Sequence, residues 1–232
     1  MSNRAVVVLS GGLDSTTCMG IAKEAGYELY PITFYYQQRH DKEVEHAKKV
    51  AAFYGVEQRH KIVNVSFLGD IGGSALTDEA IEVQTGGVQD GIPDTYVPAR
   101  NLIFLSLATA YAEVIGAEKI YTGVTAVDYS GYPDCRPEFI AAMTETINLA
   151  TKMGVTSEGK LSIETPLIHW SKAEIIRRGL ELGVPYELTT SCYLGGEEAC
   201  GECDSCLLRL KGFAENNATD PIPYKKIPSQ FR

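Results

Sequence analysis

The sequence predicts an α/β protein built on a doubly wound parallel sheet, and three observations carry that expectation. Apolar, β-branched strand patterns alternate with helical ones; the connections between them are short; and the loops richest in polar chemistry follow strands, where the ligands of such sheets gather. At 232 residues and 44% hydrophobic content the chain can bury one sizeable core.

Ala5-Val6-Val7-Val8-Leu9 reads as a buried first strand, and the helical pattern from about Asp14 to Ala25 closes at Gly26. Glu28 to Phe34 is a second strand, Asp41 to Tyr54 a helix ended by Gly55, and Gln58 to Val65 a third strand, which sets up a β-α-β-α-β series. From Ser66 to Pro98 glycines recur without periodicity, and a stretch that long is expected to be a lid or substrate loop. Asn101 is expected to cap an apolar helix that runs to Ile115 and stops at Gly116. Lys119 to Thr122 is a short strand, Pro137 to Met153 a helix, and Leu161 to Thr165 the last strand. Ser171-Lys172-Ala173-Glu174 is a capping box opening a helix that Gly183 and Pro185 close. The division that follows is a nucleotide-binding domain over 1–185 and a small C-terminal zinc-binding subdomain over 186–232.

Between the first strand and its helix lies Ser10-Gly11-Gly12-Leu13-Asp14-Ser15. The glycines let the backbone turn sharply and bring bare N–H groups close to an anion, while Ser15-Thr16-Thr17 opens a helix whose dipole favours negative charge at the same point. The loop lacks the lysine of the Gly-x4-Gly-Lys-Ser/Thr motif and the third glycine of a dinucleotide fingerprint. Its order resembles the PP-loop of ATP pyrophosphatases, which hold a triphosphate so that pyrophosphate leaves and AMP is transferred.

Cys192, Cys200, Cys203 and Cys206 form a Cys-x7-Cys-x2-Cys-x2-Cys cluster. Four thiolates are what tetrahedral zinc takes, and four cysteine ligands leave no open position, so the ion is expected to hold the tail together and not to catalyse. The two remaining cysteines, Cys18 and Cys135, are expected to pack as small apolar residues. The start Met1-Ser2-Asn3-Arg4 has no signal-peptide pattern and no stretch approaches a membrane span, so a cytoplasmic protein without membrane contact is expected. The net charge of −9 argues against wide, direct nucleic-acid contact and favours small-molecule substrates. A homodimer is left open.

Two loops should face the phosphate loop, Tyr36-Gln37-Gln38-Arg39-His40 and Pro98-Ala99-Arg100-Asn101, while Thr122-Gly123-Val124 with Asp128 to Arg136 follows the next strand. In the last of these, Asp128 or Asp134 could accept the adjacent N–H groups of a guanine-like edge. Tyr129 or Tyr132 could stack on its ring, and Arg136 or Arg100 could pair with a carboxylate. Lys172 could reach phosphate or stay in solvent.

Val8 to Cys18, Gln38-Arg39-His40, Val97-Pro98-Ala99-Arg100-Asn101, Asp128-Tyr129-Ser130-Gly131-Tyr132-Pro133-Asp134-Cys135-Arg136 and the four-cysteine tail together resemble the 7-cyano-7-deazaguanine synthases. The resemblance runs nearly end to end. It implies a PP-loop fold of the adenine nucleotide alpha hydrolase kind and an ATP-dependent ligase of queuosine precursor biosynthesis. Such a ligase converts 7-carboxy-7-deazaguanine and ammonia to the nitrile through an adenylated intermediate. It further implies that ATP lies on Leu9, Ser10, Gly11, Gly12, Leu13, Asp14, Ser15, Thr16 and Thr17, and that one zinc is held by Cys192, Cys200, Cys203 and Cys206. Ser10, Asp14 and Arg100 then become the catalytic candidates, with Mg²⁺ beside the departing pyrophosphate. Asp128, Tyr132, Asp134 and Arg136 are the candidates for the deazapurine. A PP-loop enzyme that thiolates tRNA is the alternative, since it shares the phosphate loop and often carries cysteine metal sites.

Overall fold

The computed structural model describes residues 3–37, 42–78, 80–81, 91–127, 131–156 and 159–231. Its central strand, β1 (Arg4–Val8), sends side chains alternately to two faces, and both faces are covered. Ala5, Val7 and the following Leu9 enter one core and Val6 the other, which is why the run has no polar alternation. β2 (Glu28–Tyr35) flanks β1 on one side and β4 (Lys119–Tyr121) flanks it on the other; β3 (Lys61–Asn64) and β5 (Ser162–Glu164) form the edges. All neighbouring pairs are parallel, in the order β3-β2-β1-β4-β5. The predicted doubly wound sheet is therefore present.

On the face of Ala5 and Val7 lie α1 (Leu13–Glu24), α2 (Lys42–Phe53) and α7 (Lys172–Glu181), packed through Met19, Val50, Ile175 and Ile176. On the face of Val6, Ile32 and Ile120 lie α4 (Arg100–Ile115) and α5 (Pro137–Ala150), packed through Phe104, Leu105, Ile140 and Met143. Each such aliphatic side chain removed from water contributes about 1.5–3 kcal/mol, so both cores are needed to hold the sheet. The chain crosses from one side of β1 to the other between β3 and β4. The carboxyl ends of β1 and β4 thus border the topological switch point, where open α/β sheets place their ligands.

Several local expectations shift. The third strand starts at Lys61, not Gln58, because residues Glu57–Arg59 form a single 3₁₀ turn after Gly55 takes φ +67°. The helix from Pro137 ends at Ala150; Thr151 caps a separate short helix, α6 (Lys152–Val155), with its hydroxyl accepting the Gly154 N–H. The long glycine-bearing stretch contains a short helix, α3 (Phe67–Ile71), and residues 82–90 within it lie outside the described ones. Asn101 is not the cap of α4. Ala99, at φ +57°, holds that position. The capping box at Ser171 forms as expected, with Ser171 and Glu174 exchanging hydrogen bonds. One further helix, α8 (Asp204–Glu215), starts inside the cysteine cluster and buries Phe213 in the core beside α1 and α7. Among the described residues no helix is long and apolar enough to cross a membrane.

Candidate active site

A cavity of about 270 Å³ opens beyond the carboxyl ends of the strands, and the loop after β1 forms its floor. Gly11 sits at φ +81°, and a Cβ there would lie 2.6 Å from the Ala47 nitrogen and closer still to the Glu43 carbonyl of α2. Only glycine lets the loop press against that helix. The loop's own hydroxyls pin it: the Ser10 N–H donates to Ser15 Oγ (3.1 Å), the Gly12 N–H to Ser10 Oγ (3.2 Å), and Thr16 Oγ1 donates to the Gly12 carbonyl (2.8 Å). The backbone N–H groups of Leu13, Asp14 and Ser15, the first turn of α1, find no acceptor among the described residues. Three unpaired donors at a helix N-terminus, set in a cleft, are a ready anion site.

Asp14 stands at the rim of that site and meets Lys172 from the first turn of α7, whose Nζ lies 2.6 and 2.8 Å from the two carboxylate oxygens. Lys172 is thereby drawn into the cavity and is not a solvent-facing neighbour of its capping box. Gly123, after β4, packs so closely on α1 that a Cβ would lie 2.9 Å from the Ser15 nitrogen.

The far end of the cavity is aromatic and basic. Phe34 stacks on Phe104 with centroids 4.1 Å apart, and Arg100 donates to the Tyr36 hydroxyl (3.3 Å) while lying over the Tyr36 ring. Burial, reinforced by Glu43, pushes the Tyr36 hydroxyl up to about 12, so it stays neutral. Tyr132 lines this end and exchanges a hydrogen bond with Thr95 (2.6 Å). Cys135 also lines it; burial, with Asp134 adjacent, raises its thiol to about 12, so it is an uncharged wall group.

Two of the remaining substrate candidates, Asp134 and Arg136, are not among the residues lining this cavity. Asp134 is buried and its Oδ2 accepts the Asn101 N–H (2.9 Å), so a carboxylate from a distant loop caps α4 and fixes the approach of Arg100. Arg136 lies in a separate shallow depression beside Pro133, to whose carbonyl it donates (3.2 Å). Asp128 and Tyr129, like Gln38, Arg39 and His40, lie outside the described residues. Ser10, Asp14 and Arg100 all line one cavity.

The cysteine segment supplies the opposite wall through Thr190, Ser191, Tyr193, Ser205, Leu208 and Arg209. Behind it, the four Sγ atoms of Cys192, Cys200, Cys203 and Cys206 lie within 4.8 Å of one another. A tetrahedral ion with metal–sulfur bonds of about 2.3 Å sets neighbouring sulfurs about 3.8 Å apart; Cys200 and Cys206 are 3.8 Å apart. The N–H groups of Glu202 and Cys203 donate to Cys200 Sγ, as thiolate ligands require. The cluster fits a metal ion.

A family model described as queuosine biosynthesis protein QueC matches residues 4–217. The chain belongs to the QueC family. A 7-cyano-7-deazaguanine synthase of Oceanobacillus iheyensis is 64% identical over 221 residues, covering 95% of this chain and 98% of that protein. One from Thermoplasma acidophilum is 53% identical over 232 residues, covering 99% of this chain and 95% of its own length. Among solved structures, NMN synthetase from Francisella tularensis aligns at TM-score 0.51 and 14% identity, covering 94% of this chain and 79% of that one. A 4-thiouridine synthetase solved with RNA and bound ATP aligns at TM-score 0.50 and 19% identity, covering 88% and 48%. These two likenesses are of fold alone and give the tRNA-thiolating alternative no separate support. In this QueC-family chain the residues that sequence reasoning missed are Arg209 and Tyr193, which arrive in the cavity through α8 and the cysteine loop. The only sequence signal for the former was the 3–4 spacing of Cys206, Arg209, Leu210 and Phe213.

Proposed function

We infer that this chain is an ATP-dependent carbon–nitrogen ligase that converts 7-carboxy-7-deazaguanine and ammonia to 7-cyano-7-deazaguanine. Beyond family membership, the observation that carries the reading is the continuity of one cavity. It runs from the unpaired N–H groups of α1 to the Arg100–Tyr36–Phe104 end, so one space offers an anion site for a triphosphate and an aromatic, basic end for a flat carboxylate-bearing ring. The first turn of α1 holds phosphate oxygens, the Ser10 hydroxyl adds a donor while Ser15 braces the loop through the Gly12 carbonyl, and the Arg100 guanidinium meets the substrate carboxylate. A carboxylate is a poor electrophile; its oxygen attacks the α-phosphorus, pyrophosphate leaves, and ammonia attacks the resulting acyl adenylate to give the amide and AMP. A second ATP transfers AMP to the amide oxygen with release of pyrophosphate; departure of AMP carrying that oxygen, with the two amide N–H protons passing to solvent, yields the nitrile, so two ATP are consumed per turnover. Mg²⁺ arriving with the triphosphate would be held by phosphate oxygens and the Asp14 carboxylate, and supplies charge neutralisation. Lys172, released from Asp14, faces the same oxygens.

Zinc is the metal that four thiolates in this spacing favour, and its part is to fold residues 186–232 as a unit. Tyr132 is assigned to the deazapurine ring, and Asp128 is the polar candidate proposed for the ring's guanine-like edge; Asp134 and Arg136 are not assigned to it, since one caps α4 and the other lies in a separate depression. The test is mass spectrometry of protein mixed with ATP, ammonium and 7-carboxy-7-deazaguanine: nitrile, AMP and pyrophosphate are expected, whereas ADP as the only nucleotide product refutes adenylation.

A further inference from the structure

Arg209 lines the cavity, yet its guanidinium has nothing left to offer a substrate. It is 1% exposed, and each of its five N–H groups already has an acceptor. Nε and Nη2 donate to the two oxygens of Asp220 (2.7 and 2.9 Å). Nη1 donates to Thr189 Oγ1 (2.7 Å) and Ser191 Oγ (3.3 Å), and Nη2 also to the Tyr186 carbonyl (3.1 Å). Asp220 is equally engaged, accepting from the Tyr224 hydroxyl and the Ile222 N–H. Arg209 therefore grips a six-residue strap, Tyr186 to Ser191, at both ends.

The strap touches the phosphate loop. Between the two hydroxyls held by Arg209, the Thr190 N–H donates to the Gly11 carbonyl (3.0 Å), and the Leu188 carbonyl accepts from His46 Nδ1 of α2 (2.7 Å). At the strap's other end the Tyr186 hydroxyl meets Thr17 Oγ1 of α1 (2.8 Å). Gly11, wedged against α2, thus has its peptide held from the opposite side by a residue that Arg209 brackets. A planar peptide fixed at its carbonyl is fixed at the following N–H as well.

We propose that Arg209, with Asp220, is a positioning residue for the nucleotide loop, acting through Thr189 and Ser191 on Thr190 and so on Gly11. One member of the cysteine cluster, Cys206, lies one turn earlier on the same helix, so the order of the cysteine segment reaches the phosphate site by this route. The proposal rests on the reading of that loop as the ATP site.

Arg209→Lys keeps a charge but cannot fill five acceptors, and Thr189→Val removes one acceptor while leaving Arg209 intact. The full-length, metal-loaded variants and their double mutant are compared for ATP binding by calorimetry and for amide exchange, well below their melting temperatures. Positioning predicts that both single variants bind ATP at least fivefold more weakly, with the KM for ATP rising more than kcat falls. The double mutant should be no worse than the weaker single. Exchange at Thr190 should accelerate at least tenfold, with α5 amides unchanged and metal content at the wild-type level. Wild-type ATP affinity in Thr189→Val, or additive losses in the double mutant, would mean that Arg209 serves the ligand directly and would overturn the proposal. Unchanged exchange at Thr190 would overturn it too. Failure of wild-type protein to bind ATP would instead refute the nucleotide reading, while the exchange measurement still judges the strap.

Discussion

Replacing Gly11 by alanine separates two costs that the structure makes distinct. Any L-residue at φ +81° takes on about 1–2 kcal/mol of left-handed strain. Gly26, at φ +85° with nothing within 4 Å of the place a Cβ would occupy, would take on that strain alone. At Gly11 the added carbon also meets the backbone of α2 at Glu43 and Ala47, atoms that no rotamer change can move. Overpacking of this kind costs a further 1–3 kcal/mol or so. In a chain of this size each kcal/mol shifts the melting temperature by about 2–4 °C. Gly11→Ala should therefore melt roughly 5 °C below Gly26→Ala, and it should also lose ATP affinity because the loop must lift from α2. Differential scanning calorimetry of the two variants side by side reads this directly. Equal melting temperatures would refute the argument that contact with α2, and not backbone conformation alone, reserves position 11 for glycine.

Asp14→Asn should lower turnover at least tenfold while shifting stability by less than about 1 kcal/mol, because the Lys172 pair is partly solvated; steady-state kinetics beside denaturant melts decides it. Asp134→Ala should cost about 1–2 kcal/mol as a lost cap of α4, and Asp134→Asn, which keeps an acceptor for the Asn101 N–H, much less. Equal losses in urea titrations would contradict the capping role. Cys203→Ser should release the metal and lower the melting temperature together, as metal analysis and calorimetry on one sample would show. His60 is held neutral by burial, its pKa lowered to about 4, with Nε2 hydrogen-bonded to Thr33 Oγ1. The unfolded chain binds a proton near pH 6.5 that the fold refuses until about pH 4. Its contribution is full above pH 6.5 and is lost as pH falls through that window, so His60→Gln should show a shallower acid loss of stability than the native chain.

What the sequence disclosed was whatever is written in consecutive residues. The β-branched run of β1, the glycine turn after it, the capping box at Ser171 and the Cys-x2-Cys-x2-Cys spacing all act through neighbours a few positions apart. Asp134 is different: its role as a cap depends on Asn101, which a tertiary approach alone brings near it. Local rules accordingly assigned the cap to Asn101 itself. Ala99 could adopt a left-handed conformation only because its surroundings impose it, and nothing about alanine announces that. Arg209 reads as an ordinary helix cation until α8 is docked and it meets Asp220, and Lys172, for which the sequence leaves phosphate and solvent both open, meets Asp14 once α7 is in place. The phosphate loop and the cysteine cluster could be found from spacing; the cavity between them could not, because its walls come from segments far apart in the chain.

The two ladders of β1 are unequal in a way that bears on how the molecule assembles. Arg4 pairs with Glu28, roughly two dozen residues away, whereas Ala5 pairs with Lys119, well over a hundred away. Closing the longer loop costs about 1.4 kcal/mol more in chain entropy. The ribosome also delivers β2 long before β4. The cavity stands where both ladders end, so half a sheet offers a phosphate loop with one wall missing. Competence to bind substrate is therefore gained only when α7 and the segment carrying Thr190 and Arg209 close over the loop after β1.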